Sequence, residues 1–280
     1  MKTQNPSILI IGAKGKTGSR VSKQLKQLGY SPYEAGRHGP IYFDWHVRSS
    51  WAHALSGMES IYLTYYPDLA VPEAPDDITY FCKLAKERGV KHITLLSGRG
   101  EAAATHCENI LKQSGIDWTI VRAAWFNQNF SDGLFKHFIL NGKIALPTST
   151  VREPFVDIDD IAQVVVASLT EGSHKQKLYE VTGPELLTFE DLAQRFTQLL
   201  NVDVQFESIS MQEFCSNLEV AGVESGAIQM LTYLFGEVLD GRNEYVTEGV
   251  SRALGRPASN FNQFIINNKE SLLSPPSGES

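Results

Sequence analysis

Three glycines are the residues of this 280-residue chain whose spacing most directly implies chemistry. Gly12, Gly15 and Gly18 recur at three-residue steps behind an apolar run, Ile8 to Ile11. Ahead of them Val21, Leu25 and Leu28 recur at helical intervals among Lys and Gln. Strand, glycine-rich turn and helix in that order set a helix N-terminus against the pyrophosphate of a dinucleotide. Gly12 permits the tight turn, Gly15 lets the backbone approach the phosphates, and Gly18 allows the helix to pack closely on the strand. The spacing is G-x-x-G-x-x-G, not the G-x-G-x-x-G of ordinary dehydrogenases, and three glycines alone also suit a plain strand-to-helix loop.

Which dinucleotide such a turn would hold depends on the next strand. An acidic residue about 20 positions on takes the ribose 2′-hydroxyl of NAD, whereas Arg there accommodates the 2′-phosphate of NADP. The strand read at 31–36 ends in Arg37-His38, with Glu34 in mid-strand and no carboxylate at the strand end. A guanidinium forks onto phosphate as no Asp can, and Lys14 and His38 add positive charge. The pattern points to NADP(H); a solvated loop arginine is the other reading.

These residues need a scaffold. Strand patterns at Ile8–Ile11, 31–36, 41–43, 60–65, 92–96 and 118–121 alternate with helical patterns at 47–55, 76–88, Ala102–Gln113 and 158–169, the last led in by 154–156. The alternation predicts an α/β fold, a Rossmann-type doubly wound parallel sheet with helices on both faces. Gly29, Gly89 and Gly115 stand where helices should end. After Gly183 the chain turns mostly helical to about Asn268. Thr188 and Asp191 have near capping-box spacing, 202–206 is β-like, and Ile228, Leu231, Phe235 and Val238 share one helical face. The expected division is a nucleotide-binding domain over 1–170, a smaller, mostly helical C-terminal substrate lobe over 183–270 to which 126–150 contributes, and a disordered tail over 271–280.

A net charge of −7 lacks the basic surface of a nucleic-acid binder. No apolar run approaches the ~18 residues of a membrane-spanning helix. Cys82, Cys107 and Cys215 are scattered, odd in number and without C-x-x-C spacing, which suits neither a disulfide framework nor a zinc site. With no signal-like N-terminus, a cytoplasmic protein is expected. Asp157, Asp159 and Asp160 stand at a helix start, where capping and the helix dipole use carboxylates, so no metal is expected.

Further stretches resemble the NmrA-like family of atypical short-chain dehydrogenases. They include 90–97 (Val-Lys-His-Ile-Thr-Leu-Leu-Ser), Glu108-Asn109-Ile110-Leu111, 118–122 ending in Arg122, Trp125-Phe126-x-x-Asn129-Phe130, 154–162 and Thr182 to Thr188. Phe43-Asp44-Trp45 and Gly255-Arg256-Pro257 with Phe261-x-x-Phe264 are most similar to the branch of ergot-alkaloid reductases, of the agroclavine dehydrogenase and festuclavine synthase type, with bacterial relatives. The resemblance implies that Lys16 and Thr17 present amides to the pyrophosphate and that Asp44 lies near the adenine with Trp45 as a wall. It implies that Thr64, Tyr65 and Tyr66, with Ser97 and Gly98, border the ribose and nicotinamide, and that Arg122 to Phe126 form a floor beside the ring. Ala123 replaces the family's frequent Pro, which loosens that loop.

The wider superfamily carries a Tyr-x-x-x-Lys pair on the helix after the fifth strand, the Tyr protonating a carbonyl oxygen. Matching Glu108 to the acidic residue four places beyond that Lys puts Ala104 at the Lys position and Gly100 at the Tyr position, and no Tyr-x-x-x-Lys occurs in the chain. Hydride transfer to a pre-activated small molecule, an iminium, a quinone or a conjugated system, needs no such pair and relies on orientation. Ser97 and His106 are the catalytic candidates, His106 because imidazole exchanges protons near neutrality; an exposed helix histidine is its plainer role. Trp125, Phe126 and Asn129 are the substrate-binding candidates, with core packing as the alternative for the aromatics. Two functions follow: an NADPH-dependent reductase, or a non-catalytic NADP(H)-binding redox sensor that holds a protein partner.

Overall fold

The computed structural model describes residues 5–133, 135–148 and 150–275 of the chain. The described chain divides into two compact units. The described part of the first comprises 5–123, 158–181 and 248–257. Its strands are β1 (Ile8–Ile11), β2 (Tyr33–Gly36), β3 (Ile41–Tyr42), β4 (Ser60–Leu63), β5 (His92–Gly98), β6 (Asp117–Ala123) and β8 (Lys177–Val181). Its helices are α1 (Lys16–Gln27), α2 (Trp51–Ala54), α3 (Ala74–Glu87), α4 (Ala102–Gln113), α6 (Ile158–Thr170) and α10 (Gly249–Leu254).

All seven strands pair in parallel, in the order β3-β2-β1-β4-β5-β6-β8. Parallel strands covered on both faces read as continuous apolar runs, which is why Ile8 to Ile11 lacks alternation. Leu9, Ile11, Ile61, Leu63, Ile93 and Leu95 pack with Ile78 and Phe81 of α3 and Leu111 of α4 in one buried cluster. The period of two sends Tyr62 and Thr94 to the other face, where Tyr62 donates to Thr17 of α1 and Thr94 bonds Ser168 of α6. The chain builds β1 to β3 outward on one side, then crosses back to lay β4 beside β1. That reversal is a topological switch point, outside whose strand C-termini ligands bind.

The second unit comprises the described residues of 124–157, 182–247 and 258–275. It contains α5 (Lys136–Leu140), β7 (Lys143–Leu146), α7 (Phe189–Leu200), β9 (Gln205–Ser208), α8 (Met211–Val220), α9 (Ser225–Tyr233), α11 (Phe261–Asn267) and α12 (Lys269–Leu273), and β7 and β9 pair in parallel. A phenylalanine-rich cluster built on Phe130, Phe155, Phe189, Phe196 and Phe261 forms its core. The capping box expected at Thr188 is present: its hydroxyl accepts from Asp191 N, and Asp191 accepts from Thr188 N. Ile228 and Leu231 of α9 and Phe235 and Val238 of the π-helical turn after it include two buried rings-and-branches anchors, Phe235 and Val238.

Several boundaries differ from expectation. The helix read at 47–55 is a 3-10 turn, Arg48–Ser50, leading into the four residues of α2. Strands β7 and β8 went unread, and β8 with α10 returns 171–181 and 248–257 to the first unit, while 151–157 belongs to the second. The tail expected over 271–280 is corrected at its start, where Leu272 is buried in α12; residues 276–280 of it lie outside the described residues. Among the described residues, no helix is long and apolar enough to cross a membrane.

Candidate functional site

The turn after β1 is shaped by absent side chains. Gly12 has φ +76°, and a Cβ there would lie 2.5 Å from Thr64 Oγ1, whose hydroxyl donates to the Ile11 carbonyl at 3.0 Å. A Cβ on Gly18 would lie 2.2 Å from the Gly12 carbonyl oxygen. The third glycine is therefore required by the turn itself, not by the strand that the spacing suggested. Gly15 is the N-cap of α1 and supplies no side-chain acceptor, and the first turn carries no acidic residue. The helix start thus offers an anion the positive end of its dipole. These residues fit a pyrophosphate, since the cradle exists only while its glycines lack Cβ atoms.

A cavity of about 350 Å³ opens beside this turn, at the C-terminal ends of β1, β2 and β4. Gly12, Lys14 and Gly15 line one side, Gly36 and Arg37 another, and Asp44, Trp45, Thr64 and Tyr66 complete it. Arg37 stands exposed with its guanidinium 4.8 Å over the Tyr66 ring and has no carboxylate partner among the described residues. The nearby carboxylate, Glu34, is occupied: Ser22 and Lys26 both donate to it at 2.5 Å, and the Lys26 ammonium foremost holds its carboxyl below the usual range. The Phe43-Asp44-Trp45 triplet is an anchor. Trp45 Nε1 donates to Thr64 O at 3.0 Å, Trp51 Nε1 donates to Asp44 O at 2.8 Å, and the rings of Phe43, Trp45, Trp51 and Phe81 pack edge to face and tilted.

Other candidates are placed differently from expectation. Lys16 begins α1, and buried Thr17 has its hydroxyl oxygen engaged by Tyr62. Tyr65 is turned into the first unit's core, packed 4.5 Å from Trp45 and donating to Asp77 Oδ2 at 2.7 Å. Burial and that carboxylate push its hydroxyl above the ordinary range, so it holds its proton; Tyr66, not Tyr65, lines the cavity. Ser97 is buried and donates to Glu108 Oε1 at 2.7 Å. Glu108, fully buried, is gripped by Arg122 Nε at 2.9 Å and Nη2 at 2.6 Å. Arg122 also faces Glu180, which Arg99 holds at 2.5 Å. Because Ser97, Arg122 and Glu180 are in register across β5, β6 and β8, this array ties three strand ends together. His106 points from the exposed face of α4 with no hydrogen-bond or ion partner among the described residues, the plainer of its two roles. Cys107 is core, its thiol pushed up to about 11 by burial first and Asp68 second.

In the second unit, Trp125 packs on Phe235 and Phe189, at ring-centroid distances of 5.1 and 6.2 Å. Phe126 bridges to Val156, and Asn129 ends a 3-10 turn, Asn127–Asn129. The aspartates at α6 have structural partners. Asp157 accepts from Gln128 at 2.6 Å, Asp159 pairs with Arg20 at 3.3 Å, and Asp160 accepts from Arg256 at 2.6 Å. The described residues contain no cluster of three or more His, Cys, Asp or Glu able to hold a metal.

One pair went unread in the sequence. Glu101, the N-cap of α4, folds its carboxyl over Gly98, where a Cβ would lie 1.8 Å from Glu101 Oε1. The carboxyl of Asp68, from the loop after β4, lies near enough to raise the proton affinity of Glu101. Burial, then the Asp68 charge, push Glu101 up to about 8, and burial raises Asp68 as well.

Strand order, glycine turn and cavity together define the class: an open, doubly wound α/β protein with a cavity at the switch point. The NmrA-like family model matches residues 102–263, more than half of the chain, and the protein belongs to that family. It is 28% identical over 275 residues to the uncharacterized oxidoreductase YesF of Bacillus subtilis, covering 94% of this chain and 95% of that protein. It is 28% identical over 284 residues to festuclavine dehydrogenase easG of Aspergillus fumigatus, covering 94% and 98%. That relative lies in the alkaloid branch to which the motifs pointed. Among solved structures, the NADPH-dependent quinone oxidoreductase QOR2 of Escherichia coli, complexed with NADPH, is similar with a TM-score of 0.79 at 21% identity, over 93% of this chain and 99% of that one.

Proposed function

We propose that this protein is an NADPH-dependent reductase that passes hydride to a small conjugated, quinone-like or iminium-like molecule. The observation that carries the reading is the switch-point cavity, where a side-chain-free turn meets Arg37, which has no carboxylate partner among the described residues, while the strand's own Glu34 is taken by Ser22 and Lys26. Gly12, Gly15 and Gly18 would admit the pyrophosphate, with Lys16 and Thr17 at the helix start. Arg37, with Lys14, would take the 2′-phosphate, and Asp44, Trp45 and Thr64 would border the adenosine side. When bound, the cofactor supplies hydride from its reduced nicotinamide. The relatives named as an oxidoreductase, an alkaloid dehydrogenase and a quinone oxidoreductase support this chemistry.

The protein's own part is to position and to exclude water. The Glu108–Arg122–Glu180–Arg99 array fixes the ends of β5, β6 and β8, and such positioning accounts for large factors in rate. Trp125, Phe126 and Asn129 are the proposed substrate contacts. The test follows NADPH oxidation against a panel of quinones, cyclic imines and azo dyes. Turnover with pre-activated acceptors and poor turnover of simple ketones is expected. If every acceptor is inert while NADPH and NADP⁺ bind with clearly different affinities, the protein is a redox sensor instead.

A further inference from the structure

A quinone or neutral imine that accepts hydride becomes an anion and needs a proton. Neither Ser97 nor His106 is arranged to give one: the Ser97 hydroxyl is donated to Glu108, and His106 faces outward on α4. A carboxylic acid stands one residue beyond Gly100, the position matched to the superfamily's proton-donating Tyr. The loop after β4 passes from Tyr66 in the cavity wall to Asp68 two residues on, and there meets Glu101 above the last residue of β5. Glu101 is 6% exposed, and its Oε2 is buried with no hydrogen-bond partner. A buried carboxyl oxygen left without a partner is costly unless it serves something absent from the free protein.

On the reductase reading above, we infer that Glu101, paired with Asp68, is the proton donor to the hydride-accepting substrate. The carbonyl π bond of a quinone opens as hydride adds. The Glu101 O–H bond breaks, and its proton goes to the oxygen that gains the negative charge. The acceptor is reduced by two electrons, the dihydronicotinamide is oxidised, and the Glu101 carboxylate regains a proton from water. A cationic N-alkylated iminium needs hydride alone, so the proton donor is idle with such an acceptor.

The surroundings keep the acid protonated at neutral pH. Asp68 is the charge facing it, with its Oδ1 accepting from Ala70 N at 2.8 Å. Cys107, whose thiol donates toward Leu69 O, is a neutral thiol, and Tyr65 is a neutral phenol bonded to Asp77. The nearby Glu108 is neutralised by Arg122, and Arg99 is committed to Glu180. Glu101 is thus protonated below about pH 8 and loses its proton above it.

The experiment uses the full-length protein with NADPH and two acceptors, a benzoquinone and an N-alkylated cyclic iminium. With E101Q, quinone reduction should fall by about 10²-fold or more, the scale of general acid catalysis, while iminium reduction stays within about twofold. The wild-type quinone rate should decline as pH rises through about 8. With D68N, which removes the neighbouring charge, that decline should move to lower pH. In the cofactor-free protein, infrared spectroscopy should find a protonated carboxyl band that titrates near the same pH and vanishes in E101Q. Equal loss with both acceptors, no loss with either, or no such band overturns the assignment. A wild-type protein that reduces neither acceptor refutes the reductase reading, and the proton donor falls with it.

Discussion

Replacing Arg37 with Ala should separate the two nicotinamide cofactors. The guanidinium is exposed, poised over Tyr66, and has no carboxylate partner among the described residues, and Glu34 is held by Ser22 and Lys26. Hydrogen bonds to a charged group contribute about 1.5–3 kcal/mol. Solvent screening at an exposed site argues for the lower part of that range. At about 1.4 kcal/mol per tenfold, NADPH should bind Arg37→Ala roughly ten- to thirtyfold more weakly. NADH lacks the 2′-phosphate and should lose less than about twofold, because the glycine turn and Trp45 are untouched. Arg37→Lys, which keeps the charge but not the planar fork, should fall between. The preference should also shrink as ionic strength rises toward about 1 M, where the Debye length is about 3 Å. Dissociation constants for both cofactors, by calorimetry or nicotinamide fluorescence, measure all of this. Equal weakening of NADPH and NADH would show that Arg37 shapes the cavity and reads no phosphate.

Gly18→Ala drives a methyl group against the Gly12 carbonyl, so it should cost about 1–3 kcal/mol of stability and displace the turn enough to remove cofactor binding; retained binding would place the phosphates elsewhere. Glu108→Gln removes the buried charge that Arg122 grips through Nε and Nη2, so unfolding in urea should show a loss of about 3 kcal/mol, and a loss under about 1 would mean the array is not held by charge. His92 is buried against Thr119 and pushed down to about 4, chiefly by burial, with Lys175 and His174 adding to the shift and Asp117 opposing it. Its neutral form favours the folded state, so this contribution is present above about pH 6.5 and should be lost, to the extent of about 3 kcal/mol, as pH falls toward 4. His92→Gln should flatten that part of the stability–pH curve; an unchanged slope would assign the loss to other groups.

The parts of the fold that could be read from the chain were those with a local cause. Ile8 to Ile11, the three glycines and the 102–113 helix each carry their period or backbone constraint within a dozen residues, and the structure has them at the expected places. Gly29, Gly89 and Gly115 end helices with φ between +77° and +84° for the same reason. Strand β8 was missed because Lys177 and Glu180 interrupt its apolar pattern; Glu180 is polar because it belongs to a charge array assembled from three other segments. Strand β7 is four residues long and finds its partner only in β9, far along the chain. Tyr65 lies away from the cavity lining for a related reason. Period two sends it to the face opposite Thr64, and only the packing of Asp77 and Trp45 shows that this face is closed.

The same distinction separates what recognises a cofactor from what moves a proton. A phosphate is held by backbone, and backbone geometry leaves a mark in sequence as glycines at fixed steps. A buried acid needs only two carboxyls brought together, and tertiary structure can do that from any two loops. Asp68 follows β4 and Glu101 caps α4, so no spacing rule connects them, and each alone reads as an ordinary loop carboxylate. What marks them is visible only after folding: Gly98 leaves room for the Glu101 carboxyl, and the second oxygen of that carboxyl is buried without a partner. The missing Tyr-x-x-x-Lys pair therefore says which donor this chain lacks. It does not say that hydride transfer here must rely on solvent for its proton, and the contrast between a quinone and a cationic iminium in E101Q decides between the two.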